Sequence, residues 1–308
     1  METLAIPFLL FVGTLLALQA GANVQLAQAL DSPFGASTLQ LSIGAGLLVL
    51  VAAVVGSLGA IDLLGDAEGW HLIGGIGSAV YITAGTLLFP RLGAVVAVGL
   101  FIAGQMGASL ALDGLGWLGV AQEPLGVAAA AGAVSVLLGT WLIVRSQAGA
   151  ALEDVVRARA GWVSLGLAAG AILPVQGAIN AQLRSDLDAP ITVGAISFLV
   201  ATLSMAIVLA AYLALTDAPR PQVSGVGRLP WWGWLGGACG ATYVVSVFAF
   251  IPEIGVAPTV ALTVAGQQIA SVLVDRYGLL RLPRRPITGP RLLGIALLLT
   301  GVMLIQLI

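Results

Sequence analysis

The chain has 308 residues, of which 59% are hydrophobic and 8% charged, with a formal net charge of −2 and a mean hydropathy of +1.06. A soluble domain carries about 25% charged residues, so little of this chain can form one, and it has no basic stripe to offer a nucleic acid. Lysine is absent, which excludes a Walker-type phosphate loop and any lysine Schiff base; a single histidine and a single cysteine exclude a zinc site and an internal disulfide.

A bilayer span needs about 20 apolar residues, and ten such stretches are predicted along the chain. The first, 3–29, starts after Glu2 without a basic leader and runs too long for a signal peptide, so a retained helix is expected. It contains "LQAGANVQL" (18–26), in which Gln19 and Asn23 share a helical face while Gln25 lies further along. Spans follow at 34–58 and 70–89. The third opens with His71 and the glycines Gly74, Gly75 and Gly77, and carries Tyr81. The fourth, 92–112, presents Gln105, Ser109 and, at its end, Asp113 at steps of four. The fifth, 124–144, has Gly132 and Gly139 seven apart, the spacing of a packing seam.

The linker 145–160, "RSQAGAALEDVVRARA", places Glu153 and Arg157 one turn apart, as in a short surface helix. The sixth span, 161–185, holds Pro174, which should free a backbone carbonyl, and then "VQGAINAQL" (175–183) with Gln176, Asn180 and Gln182. Next come 190–215, then 231–251 with Gly236, Gly237, Gly240, the lone Cys239 as a small packing residue, and Tyr243. Span 254–275 carries Gln267, Ser271 and, at its end, Asp275; span 289–307 carries Gly294 and Gly301. Helices are expected because lipid-facing backbone must satisfy itself, and long apolar runs are not the alternation of a β-barrel.

The chain is written twice. Gln19, Asn23, Gln25, Leu26, Asp31 and Pro33 recur 157 residues later as Gln176, Asn180, Gln182, Leu183, Asp188 and Pro190. Gly74, Gly75, Tyr81, Pro90, Gly93, Gly104, Gln105, Ser109, Asp113 and Gly116 recur 162 residues later, from Gly236 to Gly278. Two five-span repeats, 1–144 and 161–308, are therefore expected. Five is odd, so the second repeat enters the membrane from the opposite side, an arrangement typical of secondary transporters. Only Arg184 falls on the side of the termini and eleven arginines fall on the other, so the linker is expected to be cytoplasmic and both termini external.

The motifs "QGAINAQL", "PEIGVAPTVALTVAGQQIASVLVDRYG" and "RLLGIALLLTGVMLI", with weaker copies in the first half, resemble the YdcZ-type branch of the drug/metabolite transporter superfamily. That branch includes paired five-helix members and fused ten-helix members, and this chain resembles the latter. The resemblance implies an all-α bacterial inner-membrane transporter of ten helices, exporting its substrate, with a central cavity lined by spans 1, 3, 4, 6, 8 and 9. It is silent on the substrate.

Amides inside lipid are costly unless paired. Gln19, Asn23, Gln105, Gln176, Asn180 and Gln267, with Ser109 and Ser271, either line one cavity or bond helix to helix; Tyr81 and Tyr243 either bind solute or pack. Gln25 and Gln182, near helix ends, read as interhelical bonds or caps. Asp113 and Asp275, each at a helix C-terminus where a carboxylate opposes the dipole, read as gates at the two mouths or as solvated ends. No ionisable residue lies mid-membrane, which argues against an obligate drug-cation/proton exchanger and for a neutral or zwitterionic solute. His71 has no partner in the local sequence. No base stands near a nucleophile, so no enzyme, cofactor or metal is expected. The leading reading is a secondary transporter of a small polar or amphipathic metabolite, sufficient as a monomer in the bilayer; the alternative is a channel-like facilitator or a non-transporting scaffold.

Overall fold

The computed structural model describes residues 2–92, 94–123, 126–148, 160–281 and 288–305, and among these described residues ten α-helices follow one another. They are α1 (Glu2–Leu30), α2 (Pro33–Val54), α3 (Ile76–Leu92), α4 (Ala94–Leu115), α5 (Val127–Ala148), α6 (Ala160–Leu187), α7 (Pro190–Leu215), α8 (Gly236–Ile254), α9 (Val256–Tyr277) and α10 (Gly289–Ile305). No strand occurs among the described residues. Among the described residues, seven helical segments are long and apolar enough to cross a membrane: Leu4–Leu30, Pro33–Val54, Ala97–Leu115, Ala160–Leu187, Pro190–Leu215, Trp231–Ile254 and Val256–Val274. The chain is a multi-span helical membrane protein. The expected surface helix with Glu153 and Arg157 falls outside the described residues.

Helix ends obey local chemistry. Ser32 caps α2 by accepting from the Gly35 N–H at 3.1 Å, and Pro33 fills the first helical turn, where its missing N–H costs nothing. Asp31 and Asp188, repeat mates, both take a left-handed conformation (φ 48° and 46°) that ends α1 and α6. The third and eighth spans enter later than predicted. Gly69–Gly75 and Trp231–Leu235 are 3₁₀ turns, and α-helix begins only at Ile76 and Gly236. Here the glycine run tightens the entry instead of extending the α-helix.

The helices are joined through glycine. A β-carbon on Gly104 of α4 would stand 2.1 Å from the Leu167 carbonyl of α6, and one on Gly170 would stand 2.1 Å from the Phe101 carbonyl. The same two contacts recur between α9 and α1: Gly266 against Leu10 at 1.9 Å and Gly13 against Thr263 at 2.0 Å. Between α5 and α10, Gly132 meets Gly301 and Gly139 meets Gly294, each backbone touching the other's. Ser135 there donates to the carbonyl of Leu297, its own repeat mate, at 2.7 Å. In lipid, close backbone approach replaces the hydrophobic drive that water gives soluble helices. The seam expected from the seven-residue glycine spacing is this one. Large apolar side chains such as Phe101, Phe248, Met106 and Leu262 fill the interior between the helices.

Candidate functional site

The amides of α6 are built into the glycine-rich entry of α3. Gln176, 2% exposed, accepts through Oε1 from the Ser78 hydroxyl at 3.0 Å. Asn180, 1% exposed, donates through Nδ2 to Ser197 of α7 at 3.0 Å. A β-carbon at Gly77 would come within 2.7 Å of Gln176 Oε1, and one at Gly74 within 2.2 Å of Asn180 Oδ1. Those glycines are therefore small because the amides need the space. On the other half, Gln19 of α1 fits against Gly240 of α8, where a β-carbon would lie 2.6 Å from Nε2. Gly240 is the repeat mate of Ser78, and the mate of Gly77 is Cys239, so the room for the amide is made one position along and the hydroxyl is absent.

Gln105, Gln176 and Tyr243 come together around one cavity. Its walls are completed by Leu173, Pro174, Gly177, Val244, Val247 and Val260, from α4, α6, α8 and α9. The space open to the centre of a water-sized sphere is about 10 Å³, enough for about one water molecule. None of the lining residues carries a charge. Pro174 stands beside the amides within α6, where its ring removes a backbone bond. Its repeat mate is Ala17. The apolar wall residues carry no sequence mark that separates them from lipid-facing valines and leucines.

The remaining predicted residues sit elsewhere. Tyr81 packs its ring on Phe101 with centroids 4.7 Å apart. Ser109 and Ser271 spend their hydroxyls on carbonyls of their own helices, Met106 and Gln267 respectively. Gln267 is 8% exposed, and its Oε1 lacks a hydrogen-bond partner, as does that of Gln105 at 1%. Asn23 is half-buried with Oδ1 unpartnered, as is Oε1 of Gln40, a residue not singled out from the sequence. Gln182 covers Gly119 at the far end of α4.

Asp113 is 3% exposed, so it is not a solvated helix end. Its carboxylate accepts from the backbone N–H of Val256 at 2.8 Å and of Ala257 at 2.5 Å, the first residues of α9. A negative charge at the end of its own helix is unfavourable, but it meets the positive end of α9, which compensates. The side chain of Asp275 lies outside what is described. His71 does find a partner: its Nδ1 is hydrogen-bonded to Asp186 Oδ2, 115 residues away, at the end of α6. The Trp70 ring stands edge-on to His71 with centroids 4.1 Å apart, and its N–H donates to Glu68. Among the described residues no cluster of three His, Cys, Asp or Glu could hold a metal.

Residues 4–142 and 161–304 both match the family model described as "Putative inner membrane exporter, YdcZ". A protein of known crystal structure, 16% identical in sequence, superposes with a TM-score of 0.67 over 99% of this chain and 96% of its own. At that identity the likeness shows the fold alone. No curated protein matches in sequence.

Proposed function

Because the chain belongs to the YdcZ family, we propose that it is a secondary transporter of a small polar or amphipathic metabolite, working by alternating access and in the export direction. One observation carries this reading. The contacts of α4 with α6 reappear, mate for mate, as those of α9 with α1, and α4 and α6 run in the same sense, Leu100 lying against Gly166 at one end and Gly119 against Gln182 at the other. That pattern fits ten spans in two inverted repeats around a site on their shared axis, which can open to either face in turn. The solute meets Gln105, Gln176 and Tyr243 first, with their mates Gln267, Gln19 and Tyr81 across the axis. Ser109, Ser271, Asn23 and Asn180 stand behind them as the supporting polar shell. Asp113 acts as a joint between the halves, since its helix belongs to the first repeat and the amides it binds to the second. One chain supplies both halves, so a monomer suffices.

Counterflow in proteoliposomes separates a carrier from a pore. Vesicles loaded with a bacterial metabolite extract should accelerate uptake of labelled substrate from outside, and Gln105→Ala and Gln267→Ala should each cut that rate about tenfold, one lost hydrogen bond contributing about 0.5–1.5 kcal/mol. Uptake indifferent to the internal solute would leave a channel. Wild-type rates and affinity in both folded variants would make the amides packing groups.

The split of eleven arginines to one supports a cytoplasmic linker 145–160 with both termini outside. In a Cys239→Ala background, a cysteine at position 153 should be shielded from an impermeant thiol reagent in intact cells, and one at position 2 labelled. The reverse pattern overturns the orientation.

A further inference from the structure

We propose that the ligand of the α4–α6–α8–α9 cavity is an uncharged small molecule that brings an O–H or N–H donor to the side-chain oxygen of Gln105. The inference rests on the transport reading and narrows its substrate class. Three observations carry it. First, the walls are Leu173, Pro174, Val244, Val247 and Val260, with no counter-charge among the lining residues; an ionised solute would lose its hydration there and gain no partner. Second, the α6 amides Gln176 and Asn180 already spend groups on protein: Gln176 Oε1 receives the Ser78 hydroxyl and Asn180 Nδ2 gives to Ser197. Third, Gln105 Oε1 has no hydrogen-bond partner although the residue is 1% exposed, and its repeat mate Gln267 has the same orphaned oxygen.

A buried carbonyl-type oxygen without a donor is expensive to keep, and an amide oxygen can only accept. The missing partner is therefore a donor. The present space takes about one water and the Gln105 oxygen is buried beside it, so the ligand enters, and its donor reaches that oxygen, when the wall helices part. The apolar remainder of the ligand lies on the valine wall. Gln267 presents an equivalent acceptor from the other repeat, so a molecule with two donors can be passed between them.

The test uses one four-carbon frame in four forms: butane-1,2-diol, its dimethyl ether, 2-hydroxybutyrate and protonated 1-aminobutan-2-ol. The readout is the melting temperature of the purified full chain in detergent. The diol should stabilise wild type, and the ether and both charged forms should not. Gln105→Leu should raise the half-saturating diol concentration about tenfold or more; if that variant does not fold, Gln105→Met, close in volume and without an oxygen, takes its place. Stabilisation by the ether or by a charged form equal to that of the diol overturns the proposal. So does a diol response unchanged in the variant, or no response to any of the four. Counterflow on the same preparation keeps the two readings apart. Exchange of charged solutes without a diol response leaves transport standing and removes the donor requirement, whereas no exchange with the whole metabolite extract removes transport itself.

Discussion

Gly104→Ala should cripple the protein, while Gly107→Ala, one turn along the same helix, should leave it intact or slightly more stable. At Gly104 the new carbon would sit 2.1 Å from the Leu167 carbonyl oxygen and 2.9 Å from the Ala171 nitrogen, both backbone atoms that cannot swing aside. α4 and α6 would have to separate along their length. Overpacking of this kind costs about 3 kcal/mol or more when nothing flexible can yield, a large part of the stability of a typical domain. At Gly107 nothing lies within 4 Å, and alanine there gains about 0.5–1 kcal/mol in helix propensity. Fluorescence-detected size-exclusion after a heating series compares the two. Equal behaviour of the variants would mean that the α4–α6 approach is not what holds these helices.

Asp113→Ala is expected to lower the melting temperature by on the order of 10 °C. It leaves two buried N–H groups, those of Val256 and Ala257, without the acceptor they now share. At about 1–3 kcal/mol each, the loss is about 2–6 kcal/mol. Asp113→Asn keeps one acceptor oxygen and should show about half of that loss. A free gate would behave differently: stability would hold in both variants, and transport alone would change. Melting curves beside counterflow rates distinguish the two roles, and an unaltered melting temperature in Asp113→Ala would refute the capping one.

How much of this could be read from the chain depends on how local each signal is. Helix positions were legible because apolar runs and glycine or proline breaks are local, and the internal sequence recurrence is visible because Gln19, Asn23 and Gln25 keep their spacing in Gln176, Asn180 and Gln182. The glycine seams were legible for the same reason. The partner of His71 was not, since Asp186 is 115 residues away and follows from how α6 ends beside the Gly69–Gly75 turn. Asp113 offered a paradox in sequence, a carboxylate at the wrong end of a helix; only the fold supplies the α9 amides that resolve it. The amides were found as a set but not sorted: that Gln176 and Asn180 bond to Ser78 and Ser197 while Gln105 keeps a buried, unpartnered oxygen depends on sub-ångström placement. Leu118 and Leu280, repeat mates held at φ 57° and 55°, carry no glycine to announce a left-handed turn.

Ser135 reaching its own mate at Leu297, between the reciprocal glycine contacts, is the signature of an isologous interface, the self-matching kind found in twofold homodimers. In a homodimer every mutation strikes both sides of such an interface at once. Within a single polypeptide it strikes one, so the two copies are released from identity. The chain has used that latitude: Arg281, at φ 57°, stands where its mate is Gly119, Pro174 where its mate is Ala17, and the His71–Asp186 pair where the mates are Gly233 and Ala29. Symmetry here survives in the backbone contacts and is broken in the side chains, which leaves the two ends of the helix bundle free to differ.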